Sequence, residues 1–180
     1  MADKQQKTQQ ARTSQAANAR QRRMTDGLAH IVALMMRDSR FREVRIADLD
    51  WLIMPPILAG QWKIAQGTMP AKKGGDVNDG GRMFPVAAAL WASVSPEVDA
   101  RLSANIDKPL VLKPAEWKSG DIIWLIVVPG QPAYVKELLQ HLQATTFKGK
   151  VVKIRTVDRN GKPAVRTLDT LAGKAESSKN

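Results

Sequence analysis

The chain has no cysteine and only two histidines in 180 residues. Without cysteine there is no disulfide, no thiol nucleophile and no thiolate zinc site. His30 and His141 stand far apart in the sequence, so a histidine-built metal centre is not expected either. Nowhere does an apolar run reach the ~18 residues that a membrane span needs. The N-terminus lacks the apolar stretch of a secretory signal, and a cytoplasmic location with no membrane span is expected. Phosphate-cradling spellings are missing too. Lys72-Lys73-Gly74-Gly75 does not have the Gly-x-x-x-x-Gly-Lys-Ser/Thr order of a P-loop. Tyrosine and phenylalanine are scarce, while tryptophan is not. Trp51, Trp62, Trp91, Trp117 and Trp124 lie within or beside apolar stretches and are expected mainly in the core.

Basic charge is present in excess, and it sits at the two ends. The formal net charge is +11. Within 1–23, Lys4, Lys7, Arg12, Arg20, Arg22 and Arg23 face only Asp3. Within 145–180, nine basic residues face Asp158, Asp169 and Glu176, and the middle of the chain balances. Basic ends suit acidic partners such as nucleic acid or an acidic protein. No helix-turn-helix, zinc finger or RNA-recognition spelling is present, so nucleic acid would be bound without sequence preference.

The stretch 117–142 organises the rest. Ile122 to Val128 is an unbroken apolar run, which reads as a strand covered on both faces. Pro129-Gly130 ends it. Val135, Leu138, Leu139 and Leu142 then fall at i, i+3, i+4 and i+7, the stripe of an amphipathic helix. Upstream, residues 1–23 are Gln-rich and read as a disordered basic tail, or as a helix that forms only on a partner. Thr25 or Asp26 is expected to cap a first helix with Leu28, Ile31, Val32 and Met35 on its face. A second helix is expected near Arg45, carried by Ile46, Leu49, Leu52 and Ile53 and kinked or ended by Pro55-Pro56. Strands are expected at 61–65, 83–93, 109–113, 151–157 and 164–168, with a long Gly-rich loop at 67–82 and a short helix opened by Ser95-Pro96-Glu97. Asn160-Gly161 predicts the last hairpin, and Asp121 in Ser119-Gly120-Asp121 is expected to bond its own backbone in a turn. The domain is placed at 24–170, with a polar tail at 171–180. The resulting class is α+β, a mixed and mostly antiparallel sheet with helices packed on it.

Several local spellings, in order, carry a family likeness. They are Leu28-Ala29-His30-Ile31, Pro55-x-Ile57, Gln61-Trp62, Pro85-Val86-Ala87, Trp91-Ala92, and Trp117-x-Ser119-Gly120-Asp121-x-x-Trp124. Together they resemble the toxin-activating lysine acyltransferases, which fatty-acylate RTX cytolysin precursors. That resemblance implies a GNAT-like acyltransferase fold, no bound cofactor, acyl-carrier protein as acyl donor, and a protein substrate acylated on an internal lysine. It also implies a Ser-x-x-His pair and an aspartate. Counted from the landmarks, the serine position is Asp38, the histidine position is Phe41 and the aspartate position is Val127. Phenylalanine and valine cannot take a proton from lysine, so impaired or altered catalysis is expected, with His30 as a weak substitute base. The alternative is a non-catalytic binding module whose basic ends hold nucleic acid or an acidic protein; a homodimer is compatible with either. A small-molecule acetyltransferase is a weaker third reading, since Pro129-Gly130-Gln131-Pro132 lacks that class's phosphate-cradling motif.

Overall fold

The computed structural model describes residues 2–68 and 83–168. In the described part, five strands form one sheet in chain order: β1 (Trp62–Thr68), β2 (Met83–Val94), β3 (Ile122–Val127), β4 (Val152–Val157) and β5 (Pro163–Thr167). Only β3 and β4 run parallel, and the other neighbours are antiparallel. The helices are α1 (Ala2–Arg37), α2 (Leu49–Leu52), α3 (Met54–Ala59), α4 (Pro96–Ala104) and α5 (Pro132–Ala144). The expected α+β class with a mixed, mostly antiparallel sheet is what the chain adopts. No helix among the described residues is long and apolar enough to cross a membrane.

Alternation along β2 sorts the core into layers. Ala87, Ala89 and Trp91 point to one face, where they meet Leu138 and Leu142 of α5, and Phe147. Trp91 and Phe147 meet edge to face, 5.0 Å between ring centroids. Ala88 and Leu90 point the other way, onto Ile31, Leu34 and Met35 of α1 and Ile57 of α3. Further along, Ala92 and Val94 join Val98 and Leu102 of α4, Trp117 and Trp124. The small side chains of β2 let helices from both sides approach closely. The expected α5 stripe divides: Leu138 and Leu142 are buried, while Val135 and Leu139 stay half-buried.

Two irregularities shape the end of β3. Leu90 pairs with Val127 but Trp91 pairs with Leu125, so Ile126 is an extra residue, a β-bulge. As a result Ile126 and Val127 both pack toward α1. In addition, β4 stays beside β3 only at Ile123–Val152, Trp124–Lys153 and Leu125–Ile154. Beyond Leu125, β3 keeps its pairing with β2 alone, and Ala87 continues it to Gly130.

Several expectations are corrected. The stretch 1–23, read as a disordered tail or a helix that forms only on a partner, continues α1 back to Ala2, so neither Thr25 nor Asp26 caps a helix start. Its Ala, Gln, Lys and Arg content is good helix-forming material, which the absence of apolar residues obscured. Ile46 lies in a 3-10 turn (Ile46–Asp48) and is exposed, because three residues per turn take it off the α-helical stripe. Pro55 and Pro56 open α3 at its first positions, where a missing N–H costs nothing. Residues 109–113 form no strand: Leu112 is buried against α4, and a 3-10 turn (Pro114–Glu116) follows. Trp51 is exposed on α2 and donates its Nε1–H to Asp48 at 3.1 Å. Asp121 bonds Lys150 at 3.1 Å instead of its own backbone. The expected loop at 67–82 lies outside the described residues beyond Thr68, as does the tail 171–180.

Candidate functional site

α1 ends at Arg37, and the chain turns through a short 3-10 segment, Ser39–Phe41, with Asp38 as its N-cap. Asp38 accepts a hydrogen bond from the Arg40 backbone N–H at 3.1 Å. The same carboxylate takes Arg40 Nε at 2.9 Å and Nη2 at 2.6 Å, a forked pair. Arg40 Nη2 also donates to the Val128 carbonyl at 3.0 Å, and Gly130 N–H donates to Asp38 at 3.4 Å. One Asp–Arg pair thus ties the end of α1 to the turn between β3 and α5. Gly130 is at φ +130°, and a Cβ there would lie 2.5 Å from the Val86 carbonyl, so no other residue fits this turn against β2.

A cleft of about 610 Å³ opens beside this junction. Asp38, Arg40 and Gly130 form one wall; Val135, Lys136 and Leu139 of α5 form another, and Leu168 closes an end. A second cavity of about 330 Å³ shares Asp38, Ser39, Gly130 and Pro132 and extends toward Leu34 and Phe84. The larger cleft is apolar along α5, with cationic groups at Arg40 and Lys136. Its size is that of a small-ligand site.

The electrostatics decide what Asp38 can do. Hydrogen bonding from the Arg40 guanidinium holds the Asp38 carboxyl below its ordinary value, against a smaller opposing effect of burial. The guanidinium is raised in turn. A carboxylate so depressed, with four donors directed at it, is a poor acceptor for a proton from an ammonium group. Asp38 positions the turn.

The other sequence-derived positions separate. Phe41 is half-buried and Val127 almost fully buried, and both belong to the apolar cluster under α1. Of Asp38, Phe41 and Val127, only Asp38 lines the cleft. His30 lies elsewhere, in a groove between α1 and β1 with Asp26, Trp62 and Lys63. His141 is exposed in the last turn of α5. Among the described residues no group of three or more His, Asp or Glu side chains converges. Arg40 and Lys136 were not singled out from sequence. The Asp38-Ser39-Arg40 spelling, an acidic cap two residues before a base, was the available clue to the first.

The family landmarks prove to be the joints of this frame. Gly120 passes so close to the end of β2 that a Cβ would meet the Val94 carbonyl at 2.5 Å. Ser119 Oγ accepts the Ser95 N–H at 2.9 Å and donates to the Glu116 carbonyl at 3.0 Å. Trp124 is fully buried and donates to Asp99 at 2.8 Å, and Asp99 also binds Lys153 at 2.8 Å. Gln61 is buried with its Nε2 on Ser93 Oγ at 3.0 Å, while Trp62 lies against Gly27. Such a frame defines an α+β protein with a ligand-sized cleft where β3 leaves β4. The chain belongs to the RTX toxin acyltransferase family (HlyC), whose profile matches residues 20–170. It is also similar to the uncharacterized protein sll0720 of Synechocystis sp., 24% identical over 139 residues, covering 77% of this chain and 84% of that relative.

Proposed function

We propose that this chain keeps the acyl-binding frame of its family and has lost the base that drives acyl transfer, so that it acts as a pseudoenzyme or a strongly impaired lysine acyltransferase. The observation that carries this reading is the packing of Phe41 and Val127, the positions that counting from the landmarks gives for the family's histidine and aspartate, in one apolar cluster. Acyl transfer breaks a thioester C–S bond and forms a C–N bond to lysine. The amine must first shed a proton, and the departing sulfur must gain one. Losing a general base costs about 10²–10⁴-fold in rate, and neither Phe41 nor Val127 can carry a proton.

The cleft beside α5 is the proposed acyl subsite. Val135, Leu139 and Leu168 offer an apolar wall, while Arg40 and Lys136 offer charge to an acidic acyl-carrier protein at the mouth. The parallel β3–β4 pair that ends at Leu125 and Ile154, the bulge at Ile126 and the helix that follows support a GNAT-like arrangement. The protein substrate would be a toxin precursor, as the family's description suggests.

The test is direct. Purified protein is incubated with acyl-carrier protein charged with a fatty acyl chain and with a lysine-bearing precursor domain, and acylated lysine is counted by mass spectrometry. The expected result is no transfer above the enzyme-free rate, with binding of the charged carrier that weakens in Leu139→Glu. Transfer at rates well above background in the unmodified protein would sink the proposal. The double substitution Phe41→His with Val127→Asp should raise transfer if the frame is intact.

A further inference from the structure

The first half of α1 takes no part in the cleft. Every described position from residue 9 to Arg23 is exposed. Arg12, Arg20, Arg22 and Arg23 lie along it, with Lys4 and Lys7 preceding them in the sequence, and no acidic residue occurs between Asp3 and Asp26. At 100° per residue, Arg12, Arg20 and Arg23 fall within a sector of about 80°, and Arg22 flanks it. At the base of this arm a groove of about 590 Å³ is lined by Arg22, Arg23, His30, Trp62 and Lys63, with Asp26 as the acidic residue in its lining. Gly27 makes the groove's floor: a Cβ there would stand 2.5 Å from the Trp62 ring. Arg23 lies over that ring at 5.6 Å.

We propose that the projecting half of α1 and the groove at its base bind the phosphate backbone of a nucleic-acid duplex. Charge alone would equally suit an acidic protein. The composition separates the two. Between Met1 and Met24 the helix has no apolar residue larger than alanine. A stable protein interface needs apolar or aromatic anchors in a desolvated centre. Phosphate binding needs none, because release of condensed counterions supplies the free energy. The amides of Gln15, Asn18 and Gln21 between the arginines add neutral donors that phosphate oxygens accept, whereas Thr13 and Ser14 spend their hydroxyl hydrogens on the carbonyls of Gln9 and Gln10. Arg12 to Arg23 cover about 17 Å of helix at 1.5 Å per residue, which lays the arginines along successive phosphates. The binding is sequence-independent and separate from the acyl cleft.

The experiment measures fluorescence anisotropy of a short random-sequence DNA duplex with the full chain, between about 50 and 200 mM salt. Replacing Arg12, Arg20, Arg22 and Arg23 together with glutamine, which keeps helix propensity, should weaken binding about tenfold or more and flatten the log–log salt dependence by roughly three units. Circular dichroism checks that the helix persists, and the same four changed to lysine should retain the slope. Replacing Lys118, Lys148, Arg159 and Lys162, all exposed, with glutamine removes equal charge; this should change affinity no more than about threefold. Equal losses from the two sets would show mere net charge and overturn the proposal. So would unchanged duplex binding in the arginine variant, or displacement of the duplex by polyglutamate at matched charge, which would assign the arm to an acidic protein.

Discussion

The Asp38 side chain is only 11% exposed, while that of Arg40 is 61% exposed. In Arg40→Ala the carboxylate keeps the Gly130 amide but loses its cation, and the Val128 carbonyl loses a donor. Because Arg40 is largely in solvent, the expected loss is only about 1 kcal/mol near neutral pH. The sign of its pH dependence is fixed by linkage. A carboxyl held below its unfolded value stabilises the fold above that unfolded value, and the contribution disappears as pH falls through the folded one. Melting temperatures of wild type and Arg40→Ala should therefore differ most near neutrality and converge in acid. A gap that widened in acid would contradict this assignment. Gly120 is a second sharp case. Any Cβ would approach the Val94 carbonyl at 2.5 Å and the Ser95 Cα at 2.7 Å, both backbone atoms that cannot step aside. Gly120→Ala should lower stability by about 1–3 kcal/mol in denaturant titration. An unchanged midpoint would mean that the end of β2 yields easily.

Elements show where sequence reasoning reaches and where it stops. β3 and α5 were legible because hydrophobic periodicity is a local property: Ile123, Trp124 and Leu125 are buried, and so are Leu138 and Leu142. Ser95 capping α4 and the Asn160-Gly161 turn were legible from turn chemistry. The bulge at Ile126 was not, because an extra residue in a strand leaves no mark in an unbroken apolar run. Nor was the cleft, since Asp38, Gly130, Lys136 and Leu168 come together only through tertiary packing. Phe41 and Val127 pack in the apolar cluster beneath α1, apart from the cleft that Asp38 lines, and no local pattern separates them from it. At α1, the contrast between arm and body gives a further expectation. Ile31, Leu34 and Met35 anchor the second half in the core, whereas residues 9, 10 and 12–18 are exposed throughout. Deleting residues 1–18 should shift the melting temperature by no more than a few degrees, since few buried contacts go with them. A larger drop in calorimetry would place the arm among the stabilising elements.

At the scale of the whole molecule, charge and chemistry occupy different places: the buried centre is apolar, the cleft lies beside α5, and the basic arm leads away from both. A change to the arm should therefore leave the proposed acyl-carrier binding unchanged, and a change at Leu139 the proposed duplex binding. The sheet itself carries one more consequence. Its spatial order is its chain order, β1-β2-β3-β4-β5. As the polypeptide leaves the ribosome, each new strand therefore meets an open edge made by the strand before it, and none must be threaded between two already joined. Hairpin-like pairing can proceed strand by strand through β1, β2 and β3. The parallel step to β4 must wait until α5 has been made and laid across the sheet, since parallel neighbours need a crossover. Growth of the sheet in the cell would pause there, with the edge of β3 briefly uncovered, and that interval is when a nascent chain of this protein most needs a chaperone.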